Sequence, residues 1–158
     1  MQSLDFVLDE AGDAAVRRLW RLLQDVGLPS RGDHRGASNR PHITLCSAPE
    51  LPATCVTYAE RLARELPLRL PVAGVRTFDR SNLVYVAVGV PDLWQQRVQQ
   101  LRQLARDDSA WTPHITVSGR LTDDQVRAAR QVMIGVPTAL MITAVTHWDP
   151  ATGHVRML

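Results

Sequence analysis

The chain has 158 residues, 45% hydrophobic and 22% charged, the size and mix of one globular domain that buries roughly 70% of its unfolded surface. Its 18 basic and 16 acidic side chains leave a formal charge of +2, which excludes an electrostatically driven nucleic-acid coat protein and an acidic disordered tail. Every basic residue is arginine. A Schiff-base or P-loop lysine is therefore excluded, and guanidinium, the better bidentate phosphate ligand, is the only cationic group besides histidine.

In chain order, residues 2–8 predict a strand with Leu4, Phe6 and Leu8 on one face. Residues 11–26 predict a helix, with Ala15, Leu19, Leu22, Leu23 and Val26 opposite Arg17, Arg18, Arg21 and Asp25, and Gly27 placed to cap it. A loop rich in Gly, Ser and Arg runs to Asn39 and precedes a short apolar strand at 42–46. A second helix is expected over 53–66, supported by a Glu60–Arg64 pair, and then an extended segment at 68–78.

The order then repeats. Residues 83–90, with alternating valines, form the strongest strand signal, and Pro91 opens a helix striped by Trp94, Val98, Leu101 and Ala105. A short strand at 114–118 follows, then a helix introduced by the capping box Thr122-Asp-Asp-Gln125. Residues 138–143 and 144–148 read as a terminal pair of strands, with a last strand at 155–158. The expectation is one two-lobed domain over 1–158, with repeat 1 at about 1–80 and repeat 2 at about 81–158. Each copy alone is too small to bury its own sheet.

Cys46 and Cys55 fit neither a disulfide framework nor a zinc ribbon and read as buried thiols in a reducing, cytoplasmic setting. Asp5, Asp9 and Glu10 interrupt any apolar signal-peptide core. Residues 131–148 lack Asp, Glu and Arg, yet Gly135, Pro137, three threonines and His147 make them too polar to span a bilayer. No membrane association is expected.

The repeats share a sharper likeness. Arg40-Pro-His-Ile-Thr-Leu45 and Thr112-Pro-His-Ile-Thr-Val117 carry the same four central residues at matching positions of the repeated pattern. Alternation along a strand puts His42 and Thr44 on one face, and His114 and Thr116 likewise, with Ile43 and Ile115 turned to the core. A pseudo-two-fold axis would aim both pairs into one cleft. Two imidazoles there can serve as general base and general acid, and two hydroxyls can donate to the non-bridging oxygens of a phosphate. Attack on a phosphodiester with departure of an alkoxide suits this set, without metal or cofactor.

With these motifs the sequence resembles the two-histidine (2H) phosphoesterase superfamily, in particular its bacterial 2′-5′ RNA ligase / RNA 2′,3′-cyclic phosphodiesterase branch. The resemblance rests on the two His-x-Thr motifs and the order of elements, and spans nearly the whole chain. It implies an α+β fold, a bilobal pseudo-two-fold duplication with two antiparallel sheets lining a central cleft and helices packed outside. It also implies hydrolysis of 2′,3′-cyclic phosphate ends to 2′-phosphomonoesters, with ligation forming 2′-5′ linkages as the reverse type of reaction. By the same likeness His42, His114, Thr44 and Thr116 match the catalytic residues. The expectation is that His114 activates water and His42 acts as the acid, although the sequence leaves that order open.

Arg40 and Ser118 extend the two motif faces and are candidate substrate-binding residues, as is Arg120, with Gly119 as a possible strand end between them. Trp111, beside the second motif, is a candidate for stacking on a base, as is Tyr85, with buried packing as the alternative for both. The loop at 30–39, with Arg31, His34 and Arg35, reads as a solvated connection, and a flap over the cleft is its alternative. His147, Asp149 and His154 match no zinc spacing and are better explained by a turn at 149–153. Expected partners are RNA 3′ ends or nucleoside 2′,3′-cyclic phosphates, and a monomer is expected. The rival readings are a non-catalytic RNA-end or nucleotide-binding module, and a 2H enzyme acting on another phosphodiester.

Overall fold

A computed structural model of the chain describes all residues except Ala37. The described residues form seven strands and four α-helices, β1 (Gln2–Leu8), α1 (Glu10–Asp25), β2 (His42–Ala48), α2 (Ala53–Ala63), β3 (Leu68–Phe78), β4 (Leu83–Val88), α3 (Asp92–Ala105), β5 (His114–Thr116), α4 (Asp123–Val132), β6 (Ala139–Asp149) and β7 (His154–Met157), with a single 3-10 turn at Arg31–Asp33. Asp9 caps α1 through the Gly12 N–H, and Gly27, at φ +70°, closes its other end in the left-handed conformation that an L side chain rarely takes. Thr122 and Gln125 form the expected capping box on α4. The expected Glu60–Arg64 pair is not made; Glu60 faces Arg156 on β7 instead, because α2 stops at Ala63 and Arg64 becomes its cap.

All strand pairings are antiparallel, in the order β2-β1-β6-β3-β4-β5, with β7 on the free side of β6. That order maps onto its own reverse when β1 is exchanged with β4, β2 with β5 and β3 with β6. The chain is thus a pseudo-two-fold duplication, but the third strand of each repeat pairs with the other repeat. β6 lies on β1, and the second part of β3 lies on β4, while their remaining stretches pair with each other from Leu68–Ile142 to Pro71–Ala139. β6 is one long strand rather than the expected pair of short ones, since it crosses from one half of the sheet to the other.

The helices cover the outer faces: α3 lies on β2, α2 lies on β6, and α1 packs with α4. Leu4, Phe6, Ile43, Leu45, Val84, Val86, Ile115 and Ile142 are fully buried and form the shared core beneath them. Phe6 meets Trp94 of α3 edge-on at 5.7 Å between ring centres. At about 25 cal/mol per Å² of apolar area, each such side chain is worth roughly 1.5–3 kcal/mol when buried. No helix among the described residues is long and apolar enough to cross a membrane.

Candidate active site

The two motifs occupy equivalent registers in the two halves. Val7 lies opposite His42 and Asp5 opposite Thr44; Ala87 lies opposite His114 and Tyr85 opposite Thr116. Both histidines and both threonines are half-buried, between fully buried isoleucines, as alternation requires. All four line one small pocket of about 50 Å³, together with Trp20, Arg31 and Arg40. The four side chains singled out by the repeat are therefore neighbours in space.

The two imidazoles are fixed in the same way. His42 Nδ1 is 2.7 Å from the Arg40 carbonyl, and His114 Nδ1 is 2.6 Å from the Thr112 carbonyl. A carbonyl can only accept, so each Nδ1 carries the proton and donates it, and each Nε2 remains for chemistry. Around His114 the rings of Phe78 and Tyr85 stand edge-on at 4.9 and 5.3 Å, and these two rings stack on each other at 4.1 Å. Burial is the main cause of a lowered His114 pKa; proximity to His42 adds to it, and the Thr112 carbonyl opposes it. Neutral imidazole, a proton acceptor, is thus favoured at position 114.

The hydroxyls differ. Thr44 Oγ1 donates to Asp5 Oδ1 at 2.7 Å, and the other oxygen of Asp5 accepts from Ser3 Oγ at 2.6 Å. The Asp5 carboxylate is only 7% exposed and forms part of the cleft floor. Thr116 Oγ1 has no hydrogen bond among the described residues, so its proton is free to be given to a ligand.

Two indoles brace this arrangement across the pseudo-axis. Trp20 Nε1 donates to the Thr116 carbonyl at 3.2 Å, and Trp111 Nε1 donates to the Thr44 carbonyl at 2.9 Å. Each repeat thereby holds the motif strand of the other. Trp111, for which sequence offers base stacking or buried packing, is half-buried and braces the first motif strand, and it does not line the four-residue pocket. Tyr85, 6% exposed and covered by Phe78, is likewise a packing residue behind His114.

Ser118 also departs from expectation. Val117 N and Ser118 N both donate to the Val84 carbonyl, so a bulge interrupts the alternation one residue after Thr116. The Ser118 side chain turns inward, 1% exposed, and its Oγ accepts from Val84 N at 2.8 Å. A matching irregularity in the β1–β2 register leaves both Leu45 and Cys46 buried after Thr44. Arg120 lies exposed beyond the end of β5 and lines neither the pocket nor the adjoining cavity. Arg40 does line the pocket, next to Arg31, whose backbone N–H donates to the Val117 carbonyl just after β5. Sequence reasoning did not place Arg31, Asp5 or Phe78 at the site. Of these only Arg31 has a local signal, its place in the arginine-bearing, glycine-rich loop for which sequence offers a solvated connection or a flap over the cleft.

Among the described residues no group of three or more His, Cys, Asp or Glu side chains is arranged to hold a metal ion. His147 meets the side chain of Gln2 on the neighbouring strand β1, and Asp149 closes the turn before β7.

No curated protein matches the sequence. Among solved structures, E. coli LigT complexed with NADP+ superposes with a TM-score of 0.60 at 19% identity, over 99% of this chain and 92% of that one. E. coli LigT complexed with 3′-AMP gives 0.56 at 18%, with the same coverage. TT0787 of Thermus thermophilus gives 0.60 at 18%, over 99% and 94%. At these identities the likeness is one of fold. The profile of the 2′-5′ RNA ligase superfamily matches residues 8–154, nearly the whole chain, and the protein belongs to that superfamily of 2H phosphoesterases.

Proposed function

We propose that the protein is a metal-independent phosphodiesterase that opens 2′,3′-cyclic phosphate ends of RNA or nucleotides to 2′-phosphomonoesters. The observation that carries this reading is the convergence of His42, His114, Thr44 and Thr116 on one pocket, with both Nε2 atoms left for chemistry by the Nδ1–carbonyl bonds. The nucleotides bound to E. coli LigT belong to the same ligand class.

In this mechanism His114 Nε2 takes a proton from water as the water oxygen attacks phosphorus. The bond from phosphorus to the ribose 3′-oxygen breaks, and His42 Nε2–H delivers the proton that makes it a hydroxyl. The phosphate stays on the 2′-oxygen, and one water is consumed. Thr116 donates to a non-bridging oxygen where charge builds, which is worth most in a site shielded from water. The Thr44 hydroxyl donates to Asp5, so toward the cleft it offers lone pairs that can receive the new ribose hydroxyl. The guanidinium of Arg40 neutralises the phosphate from the rim. With a ribose 5′-hydroxyl in place of water as the nucleophile, the same attack would bond that oxygen to phosphorus, release the 3′-hydroxyl and leave a 2′-5′ linkage, the ligase reaction.

The test is a product assay on the four nucleoside 2′,3′-cyclic phosphates and a short RNA bearing that end, run with excess EDTA. The expected product is the 2′-phosphomonoester at an EDTA-insensitive rate. His42→Ala and His114→Ala should each lower kcat by about 10²–10⁴-fold with the fold intact. Binding without turnover in the parent protein would leave the nucleotide-binding module as the reading. Full activity in either variant would remove that histidine from the mechanism.

A further inference from the structure

Next to the four-residue pocket lies a second cavity, about 500 Å³, on the His42 side. It shares Arg31, Arg40 and His42 with the pocket, so the two adjoin along these residues. Its floor is the cleft face of the β1–β6 half: Ser3 and Asp5 on β1, with Trp148 opposite Ser3 and Thr146 opposite Asp5 on β6. Its wall is formed by Arg31, Arg35 and Arg40.

The pseudo-symmetry explains why this space exists on one side only. Trp148, opposite Ser3 on β1, holds the register position of Phe78, opposite Leu83 on β4. In that other half Tyr85 stacks on Phe78 and fills the space beside His114. Here the residue equivalent to Tyr85 is Asp5, which is small and polar, and no aromatic ring among the described residues packs on Trp148. Replacing a tyrosine by an aspartate leaves an open aromatic side chain at the edge of a cavity of ligand size.

The charges sort the cavity. The buried Asp5 carboxylate repels a phosphate from the floor but suits the donors of a nucleoside. On the wall, the guanidinium groups of Arg31, Arg35 and Arg40 have no ion pair and no hydrogen bond among the described residues. Unpaired guanidiniums beside a reacting phosphate suit a further phosphate of the same strand. A half-buried indole at the cavity edge, with no other ring among the described residues on its face, suits a base, whatever its identity.

We propose that this cavity is a subsite for the second nucleotide of an RNA 3′ end, its base on Trp148 and its phosphodiester held by Arg31 and Arg35. The proposal rests on the cyclic-phosphate reading and extends it: the preferred substrate is an oligonucleotide end, not a mononucleotide.

The test compares kcat/KM for a dinucleotide ending in a 2′,3′-cyclic phosphate with that for a nucleoside 2′,3′-cyclic phosphate. Calorimetric Kd values for the matching dinucleotide and nucleoside 2′-phosphates read the subsite without turnover. The expected preference for the dinucleotide is about tenfold or more in both measurements. In Trp148→Ala and in Arg35→Ala the ratio should fall toward one, and because it is formed within each variant it is insensitive to the amount of folded protein. Arg35 is exposed, so its substitution leaves packing untouched. Equal values for the two ligands in the parent protein, or an undiminished ratio in both variants, would overturn the subsite. Loss in Arg35→Ala alone would overturn the stacking on Trp148. Tighter dinucleotide binding with no hydrolysis of either cyclic phosphate would sustain the subsite while the hydrolytic reading fails.

Discussion

The Nδ1–H of each cleft histidine is spent on a carbonyl two residues back, so the tripeptide x-Pro-His supplies its own tautomer lock. His114 has a second constraint, the edges of Phe78 and Tyr85, which keep water from one side of the ring and lower its pKa from the ordinary 6.5. If His114 is the base, kcat/KM rises with pH as this imidazole loses its proton, and the acid limb has its midpoint below about 6.5. Removing one shielding ring weakens the desolvation that disfavours imidazolium, so the pKa rises. Phe78→Ala should therefore move the acid limb to higher pH, which a pH–rate profile of parent and variant reads directly. A limb that stays in place, or moves down, would take His114 out of the base role. The four motif residues were legible because a repeated tetrapeptide at period-two spacing defines a face without any tertiary information. Phe78 was not legible, because its contact with His114 is made through strand pairing between β3 and β4 and leaves no local pattern.

Strands and helices were legible where periodicity and end signals agree, as in α1 with Asp9 and Gly27 or α4 with its capping box. Alternation failed at the irregularities that follow Thr44 and Thr116, because one inserted residue reverses every later side chain. Ser118 is the residue this misplaced. Its hydroxyl accepts the Val84 N–H in a buried setting, a bond that stabilises the bulge. Ser118→Ala leaves that N–H without a partner and should lower unfolding stability by roughly 1–3 kcal/mol, measured by urea titration. Substrate KM should stay unchanged, since the side chain points away from the pocket. A raised KM with unchanged stability would return Ser118 to the substrate contacts.

The duplication was legible as order of elements, yet the exchange of β3 and β6 between halves was not, since nothing local records which strand a third strand will join. That exchange decides how the molecule holds together. Residues 1–80 contain β1, β2 and β3, but β3 pairs only with β4 and β6, both in the second repeat. Residues 81–158 leave β6 equally without β1. The indole braces from Trp20 and Trp111, and the Arg102 guanidinium donating to the Leu45 carbonyl at 2.8 Å, also cross between repeats. Neither repeat therefore owns a complete sheet or a complete site. Expressed separately, fragments 1–80 and 81–158 should each lack a cooperative thermal transition, while an equimolar mixture should regain one sigmoidal transition together with activity that neither fragment has. A cooperative transition in residues 1–80 alone would show that β3 can close on its own repeat, and the crossed topology would then not be what confers stability. Activity in a single fragment would show that one His–Thr pair suffices, contrary to a mechanism that needs an acid and a base from opposite halves.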